Sequence, residues 1–579
     1  MKIKYLLCII GLFLLTEKTC AQKLSEQIRL NQLGFYPTAP KVAVVVNAQA
    51  SSFLIKTSDL QKTIFTGKLS TSRKSEFSDK KTQIADFTAL KTQGSFVLEI
   101  PDLGISYPFR IAPKVHQEVA KAALKAFYYQ RASTEIPAKY AGKWARTLGH
   151  PDDKVFVHAS AVSADRPEGT VISSPRGWYD AGDYNKYIVN SGITMGTLFS
   201  MYEDFPAYFQ KQTLNIPEST NTVPDVLDEA LWNLRWMLTM QDKDGGGYHK
   251  LTNANFDGMI MPDKATQPRY VVQKSTAATL DFAAVMAQAA RIYRQFPTAF
   301  PSLADSCLKA SVRAWDWAKQ HPNLAYEQNK MNEQFAPKVV TGDYGDNTFT
   351  DEFIWAAAEL YLSTKDERYA ASIPNAKQII LPSWNQVALL GYYSLLRFES
   401  QCTGTIKEQL PALKQQLITF ADELANGVEK RSFQTLMGKK ASDFNWGSTS
   451  NAANQGIAMI QVYRLTKNKK YLDFALSNLD YLFGRNGTGY SFVTGFGSKT
   501  PMHPHHRLAV ADGIVDPLPG FLSGGTNWGR QDKCEGYPST VADECYLDAD
   551  CSYASNEIAI NWNAPLAYLT AAIEAIQQK

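Results

Sequence analysis

Residues 225–241 read DVLDEALWNLRWMLTMQ. The leucines at 227, 231, 234 and 238 recur at i, i+4, i+7 and i+11, which gathers them on one face of an α-helix. Pro224 stands just ahead, where a first-turn proline gives up no hydrogen bond. The same period continues on both sides. Val115–Arg131 is an Ala-rich helical stretch, and helices are expected over 183–203, 275–294, 304–320, 351–364, 385–398, 408–425, 448–465, 468–484 and 557–576. About eleven helices result, with room for a twelfth. The stretches between them are long and hold most of the Gly, Pro, Trp and His. Helices carrying elaborate loops at one end suit an all-α barrel whose site is built from those loops.

Residues 27–112 read differently. Lys41–Val46 (KVAVVV), Phe53–Lys56 and Ser95–Ile100 (SFVLEI) are short runs rich in β-branched and aromatic residues, separated by polar, Gly or Pro turns. This spacing predicts a small all-β sandwich of immunoglobulin-like size. The stretch holds no histidine and no chemical cluster, so a structural role is expected of it. The expected limits are 22–113 for the sandwich and 114–579 for the helical catalytic domain.

At 579 residues, 45% hydrophobic and 20% charged, the chain reads as globular and larger than one ordinary domain. Lys2 and Lys4 precede an apolar run, Tyr5–Leu15, and Thr19-Cys20-Ala21 ends in a small residue, so residues 1–21 read as a signal peptide. The run is too short to span a bilayer, and no later stretch qualifies. A secreted or periplasmic protein is expected. Cys20 leaves open a bacterial lipoprotein anchored at the outer membrane. The formal charge is +4, and Lys2, Lys4, Lys18 and Glu17 leave with the signal, so the mature chain sits near +2. That gives no electrostatic case for nucleic acid. Of Cys307, Cys402, Cys534, Cys545 and Cys551, the last three crowd together, and one disulfide among them is expected in an oxidising compartment.

Three segments carry chemistry. Gly177–Tyr187 (GWYDAGDYNKY) sets Asp180 and Asp183 three apart among aromatics, at the expected start of a helix. An Asp there is ordinarily an N-cap. Two carboxylates holding one water between them also account for Asp180 and the aromatic flanks. In Ser552–Pro565 (SYASNEIAINWNAP), Glu557 opens the final apolar helix. It is either a capping glutamate or a general acid whose pKa is raised by apolar neighbours. Pro501–Arg507 (PMHPHHR) is a histidine cluster. It suits either a metal or a polar floor that hydrogen-bonds sugar hydroxyls, and Arg507 opposes a bound cation.

Together these segments resemble glycoside hydrolase family nine. Its aspartate pair is matched by Tyr179-Asp180-Ala181-Gly182-Asp183. Its histidine–arginine signature is matched by His503–Arg507, after Gly484-Arg485-Asn486 and Val493-Thr494-Gly495. Its acid signature is matched by Asn556–Asn561. The resemblance covers residues 115–579, and Ile28–Phe35 (IRLNQLGF) is similar to the start of the immunoglobulin-like domain that precedes many members. It implies an (α/α)6 barrel, an inverting mechanism and a β-1,4-glucan substrate, with no organic cofactor and a monomeric chain. It implies that Asp183 is the general base, Asp180 helps hold the water and Glu557 is the general acid. His505 and Arg507 are implied to contact sugar, His249 to be a subsite histidine, and Trp384 and Trp446 to be platforms for glucose rings. Asp343, Asp346, Asp351 and Glu352, in TGDYGDNTFTDE (341–352), are similar to the family's calcium loop, and crowded carboxylates are what that cation needs. The sequence departs from the family at Trp562, where tyrosine is common, and at Asn451, where an aromatic can stand; both are expected to line the cleft.

Xyloglucan, mixed-linkage glucan and glucosamine oligomers cut from a chain end are rival substrates on the same fold. A binding-only protein would not need Asp180, Asp183 and Glu557. A metallohydrolase built on the histidines would lose activity with chelator.

Overall fold

The computed structural model describes residues 23–74 and 77–578, so the signal segment and Cys20 lie outside the described residues. Ten short strands come first: β1 Ile28–Arg29, β2 Gly34–Phe35, β3 Val42–Val46, β4 Ser52–Thr57, β5 Thr63–Lys68, β6 Arg73–Lys74, β7 Lys81–Asp86, β8 Gly94–Ile100, β9 Gly104–Ile105 and β10 Phe109–Ile111. They form two sheets, ordered β1-β3-β7-β6 and β2-β10-β8-β4-β5, with β9 added on β8. Phenylalanines 35, 53, 87, 96 and 109 fill the space between them.

The run KVAVVV lacks the polar–apolar alternation of a half-buried strand because β3 is buried on both faces. Ala43 and Val45 point into the sandwich. Val44 and Val46, with Ile84 of β7, pack on Phe433 of the helical part. Burying each valine is worth roughly 1.5–3 kcal/mol. Polar groups complete the seam. The Gln32 amide Nε2 donates to Gly489 O at 2.9 Å, and its Oε1 accepts from Ser498 N and Lys499 N at 2.8 and 2.9 Å.

Eleven helices of ten or more residues follow among the described residues: α1 Gln117–Tyr129, α2 Ile188–Asp204, α3 Asp225–Thr239, α4 Thr276–Tyr293, α5 Leu303–Gln320, α6 Thr350–Thr364, α7 Ala388–Arg397, α8 Gly404–Ala425, α9 Ser448–Thr466, α10 Lys469–Leu482 and α11 Ile560–Gln577. Two kinds are evident. In α4 every residue but Arg291 is buried, and in α2 everything from Ile188 to Tyr202 is. In α5 burial follows one stripe, Cys307, Ala310, Ser311, Ala314, Trp315 and Ala318, with Trp317 beside it. A helix apolar all round is enclosed, whereas a striped one lies on a surface. The enclosed helices α9, α11, α2, α4, α6 and α7 pack in that order, each on the next.

At the C-terminal end of α2, Glu203 and Asp204 meet arginines. Arg397 Nε lies 2.6 Å from Asp204 Oδ1, and Arg291 Nε lies 2.8 Å from Glu203 Oε1. Arg291 also reaches Glu359 at 2.7 Å, and Arg464 reaches Asp204.

A third sheet, not expected from the sequence, is built within the loops: β11 Val155–Val157, β12 Val171–Ile172, β13 Lys186–Tyr187, β14 Lys250–Asn253 and β15 Arg269–Val271, ordered β12-β11-β15-β14-β13. It corrects one helix start, and the backbone at Glu557 corrects a second. α2 begins at Ile188 rather than at residue 183, because Lys186–Tyr187 pairs with Lys250–Leu251. Asp183 is therefore not a helix cap. Glu557 likewise stands three residues before α11, with extended backbone (φ −68°, ψ 153°), and does not open the helix. Cys534 pairs with Cys551, leaving Cys545, Cys307 and Cys402 buried and free.

Candidate active site

The three motif segments are knitted by their backbones. Ile560 N donates to Asp180 O at 2.8 Å, His505 N to Asn556 O at 3.0 Å, and Arg507 N to Gly182 O at 3.0 Å. A Cβ on Gly182 would lie 2.2 Å from His505 O, so only glycine allows this approach. The result is one wall of a cleft of about 1160 Å³, lined by Asp183, Glu557, His505, Arg507, Trp384, Trp446 and Trp562 among others.

Asp183 and Asp180 are held from behind. Asn185 Nδ2 and Tyr187 OH donate to Asp183 Oδ2 at 2.5 and 3.1 Å. Asn190 Nδ2 and Tyr344 OH donate to Asp180 Oδ2 at 3.0 and 3.3 Å, while Asp180 Oδ1 is buried without a protein partner. Burial, then the neighbouring Asp183 charge, pushes the Asp180 carboxyl well above the ordinary carboxylate range. Glu557 keeps part of its surface open to the cleft. Its carboxyl is nevertheless pushed well up, first by desolvation and then by Asp183 and Asp180, against the pull of Arg507. A carboxyl that keeps its proton can act as an acid at mild pH.

His505 Nδ1 lies 2.5 Å from Asp550 O. A carbonyl only accepts, so Nδ1 carries the proton and Nε2 is left as an acceptor. Arg507 donates from Nε to Asp257 O and from a terminal nitrogen to Gly182 O, both at 2.9 Å, and lies over the Phe256 ring. Trp446 is 43% exposed with its ring canted against Tyr553, and Trp384 meets Tyr344 edge-on. Trp562 and Asn451, the two departures, both line the cleft.

His249 does not reach it. The ring is fully buried against Tyr326, Nδ1 pairs with Ser275 Oγ at 2.9 Å, and Nε2 donates to Asp343 O at 3.0 Å. Burial, with Lys250 nearby, pulls its pKa down to about 3. With both nitrogens engaged, no atom is left for a sugar, and His249 instead supports the loop that carries Tyr344. Lys250 anchors the same loop by donating to Gln328 Oε1, Thr341 Oγ1 and Gly342 O at 2.6, 3.1 and 2.6 Å.

The four expected calcium ligands separate. Asp343 is solvent-exposed and faces Lys250. Asp346, Asp351 and Glu352 instead neighbour Asp281 of α4, a residue the sequence reading passed over. Burial and these shared negative charges push the Asp281 and Glu352 carboxyls strongly upward. Asp281 Oδ1 and Oδ2, Asp346 Oδ2 and Glu352 Oε2 are buried without protein partners. As placed, no three histidine, cysteine or acidic side chains among the described residues are arranged to hold a metal.

Tyr344, Tyr187, Asn185 and Asn190 were not read as functional. Tyr187 and Asn185 lay inside the aspartate motif, but Tyr344 sat in the segment read for calcium, and Asn190 lies within α2.

Residues 116–570 match glycosyl hydrolase family 9, and residues 23–104 match a cellulase N-terminal ig-like domain. A xyloglucan-specific endo-β-1,4-glucanase of Bacteroides ovatus is 46% identical over 556 residues, covering 95% of this chain and 94% of that protein. Endoglucanase D of Acetivibrio thermocellus is 33% identical over 574 residues, covering 96% and 86%. A solved Bacteroides ovatus GH9 structure superposes with a TM-score of 0.91 at 44% identity, over 96% of this chain and 100% of that one. With three ordered motif segments knitted into one cleft wall and relatives this similar over nearly its whole length, the chain belongs to glycosyl hydrolase family 9.

Proposed function

We propose that the protein is an endo-β-1,4-glucanase that cuts with inversion, using Glu557 as general acid and Asp183 as general base. The observation that carries this reading is that Glu557 and Asp183 open on the same cleft, where burial beside Asp183 and Asp180 pushes the Glu557 carboxyl up. Glu557 gives its proton to the glycosidic oxygen as the C–O bond breaks. A water on the opposite face gives its proton to Asp183 Oδ1, the oxygen its two donors leave untouched, and its oxygen attacks the anomeric carbon. Asp180 fixes the water beside Asp183. His505 Nε2 accepts from a sugar hydroxyl, Arg507 donates to one, and Trp384, Trp446 and Trp562 meet ring faces. A cleft of about 1160 Å³ holds several sugar rings at once, as cutting within a chain requires. Proton NMR of early hydrolysis tests the mechanism: the first new reducing ends should be α, and a β first product sinks it.

A second reading concerns the polymer. The similar Bacteroides ovatus enzyme is named for xyloglucan, so a branched β-1,4-glucan is the favoured substrate for this chain too. The helical part is read as an (α/α)6 barrel with α2, α4, α6, α7, α9 and α11 as its inner ring, divided from the sandwich near residue 113. The protein acts as an exported monomer; no described helix is long and apolar enough to cross a membrane. Calcium suits the chemistry of the orphaned carboxylate oxygens of Asp281, Asp346 and Glu352, but as placed these side chains are not gathered into a site, so holding the ion would require them to close together. Its effect there is to offset buried negative charge, away from the chemistry. Chelator should then lower Tm, and metal analysis showing no calcium would remove the site.

A further inference from the structure

Trp528 is 53% exposed, more than Trp446 in the cleft. Tryptophan is highly buried on average, so an indole held open calls for a reason. Its polar atom is not the reason. Nε1 donates to Asn445 Oδ1 at 3.1 Å, and the backbone N donates to Phe444 O at 3.2 Å. The ring is thus pinned by its edge, and among the described residues no aromatic ring or cation stacks on it.

Its position ties it to the cleft. The segment 523–528 starts at the candidate acid, where Gly524 N donates to Glu557 O at 2.9 Å. A Cβ on Gly524 would lie 3.2 Å from Trp562, and one on Gly525 2.7 Å from Ser448 Oγ, so the segment runs along residues that line the cleft. It ends on Asn445, a lining residue directly before Trp446. Four residues of chain span at most about 14 Å, which keeps Trp528 within the length of a bound oligosaccharide. The segment is also braced. Asn527 Nδ2 donates to Ala554 O at 2.8 Å and Gln531 Oε1 at 2.7 Å, Asp532 Oδ2 accepts from Ala554 N at 2.9 Å, and Cys534 is bonded to Cys551. A ring placed in advance loses little freedom on binding.

We propose that Trp528 is a further sugar platform on the cleft rim beyond Trp446, receiving the apolar face of a pyranose ring of the substrate. The ring comes either from the glucan backbone or from a branch upon it; the chemistry is the same. The inference rests on the β-1,4-glucanase reading. The test measures kcat and KM for wild type, Trp528→Ala and Trp528→Phe in the full chain, on cello-oligosaccharides of increasing length and on xyloglucan oligosaccharides. Trp528→Ala should raise KM by roughly 2- to 10-fold, move kcat less, and be largely rescued by Trp528→Phe. A loss growing with unbranched length assigns the backbone; a loss confined to branched substrates assigns the branch. Equal KM values for wild type and Trp528→Ala on every substrate overturn the platform, provided Tm is unchanged. A wild type that cuts none of these glucans overturns the glucanase reading, and the platform with it.

Discussion

The two ends of α2 treat buried carboxyls in opposite ways. Seventeen residues, about 25 Å of helix, separate them. At the C-terminal end Glu203, Asp204 and Glu359 meet Arg291, Arg397 and Arg464, three acids with three arginines. Burial pushes Asp204 up, but Arg397 and Arg464 outweigh it and hold the carboxyl below its ordinary value, whereas burial and the Glu203 charge keep Glu359 raised against the pull of Arg291. At the N-terminal end Asp180, Asp183 and Glu557 share one nearby arginine, Arg507, whose donors are partly spent on carbonyls. There the balance goes the other way, and Asp180 and Glu557 are pushed up. Neutralised charge fastens helices together, whereas unneutralised charge keeps a proton available for chemistry.

The contrast can be broken most sharply at the open end. Glu557→Gln should cost about 10²–10⁴-fold in kcat on glucan, because no proton reaches the departing oxygen. The loss should be much smaller on aryl cellosides whose leaving group departs unprotonated, while Asp183→Asn should damage both. Equal damage by Glu557→Gln on both substrate types would force the roles to be reassigned.

At the closed end, Arg397→Met should lower stability by about 3–5 kcal/mol in denaturant unfolding, since Asp204 and Glu203 lose a buried counter-charge. The pH dependence of activity should keep its shape. A shifted activity profile without lost stability would show that the two ends are not independent.

The smallest effect sharpens the sign. In the folded state Asp180 keeps its proton above the pH at which the unfolded chain releases it, so its contribution to stability falls as pH rises from the ordinary carboxylate range through the folded value. Asp180→Asn removes that loss. The variant should be less active yet gain stability over wild type at about pH 7, with the gain vanishing near pH ~4. A gain independent of pH would mean that Asp180 is not the group responsible.

Much of this was legible in sequence because it is local. The 3.6-residue period located the helices to within a few residues, and the motif segments bring Asp183 and Glu557 to the cleft wall with Asp180 buried beside them. What was missed depends on distant partners. β13 is two residues long and exists only because Lys250–Asn253 lies beside it, so Asp183 read as the start of a helix. His249 sits in a motif that suggests a sugar contact, but Ser275 and Asp343 take its two nitrogens. Asp281 lies in an almost wholly buried helix, and nothing local signals that Asp351 and Glu352 face it. Tyr344 was read with the acids around it, although its hydroxyl serves Asp180.

The outer face of β3 carries one more lesson, about inheritance. Val44 and Val46 have no solvent-compatible side to fall back on, and Phe433 is their floor. A sandwich joined in this way is not a bead on a string that recombination can trade for another. Separating it from the helices would uncover a greasy seam on both halves and strip Gln32 from the loop leading to His503–Arg507. A substitution on one side of the seam therefore constrains what the other side can accept.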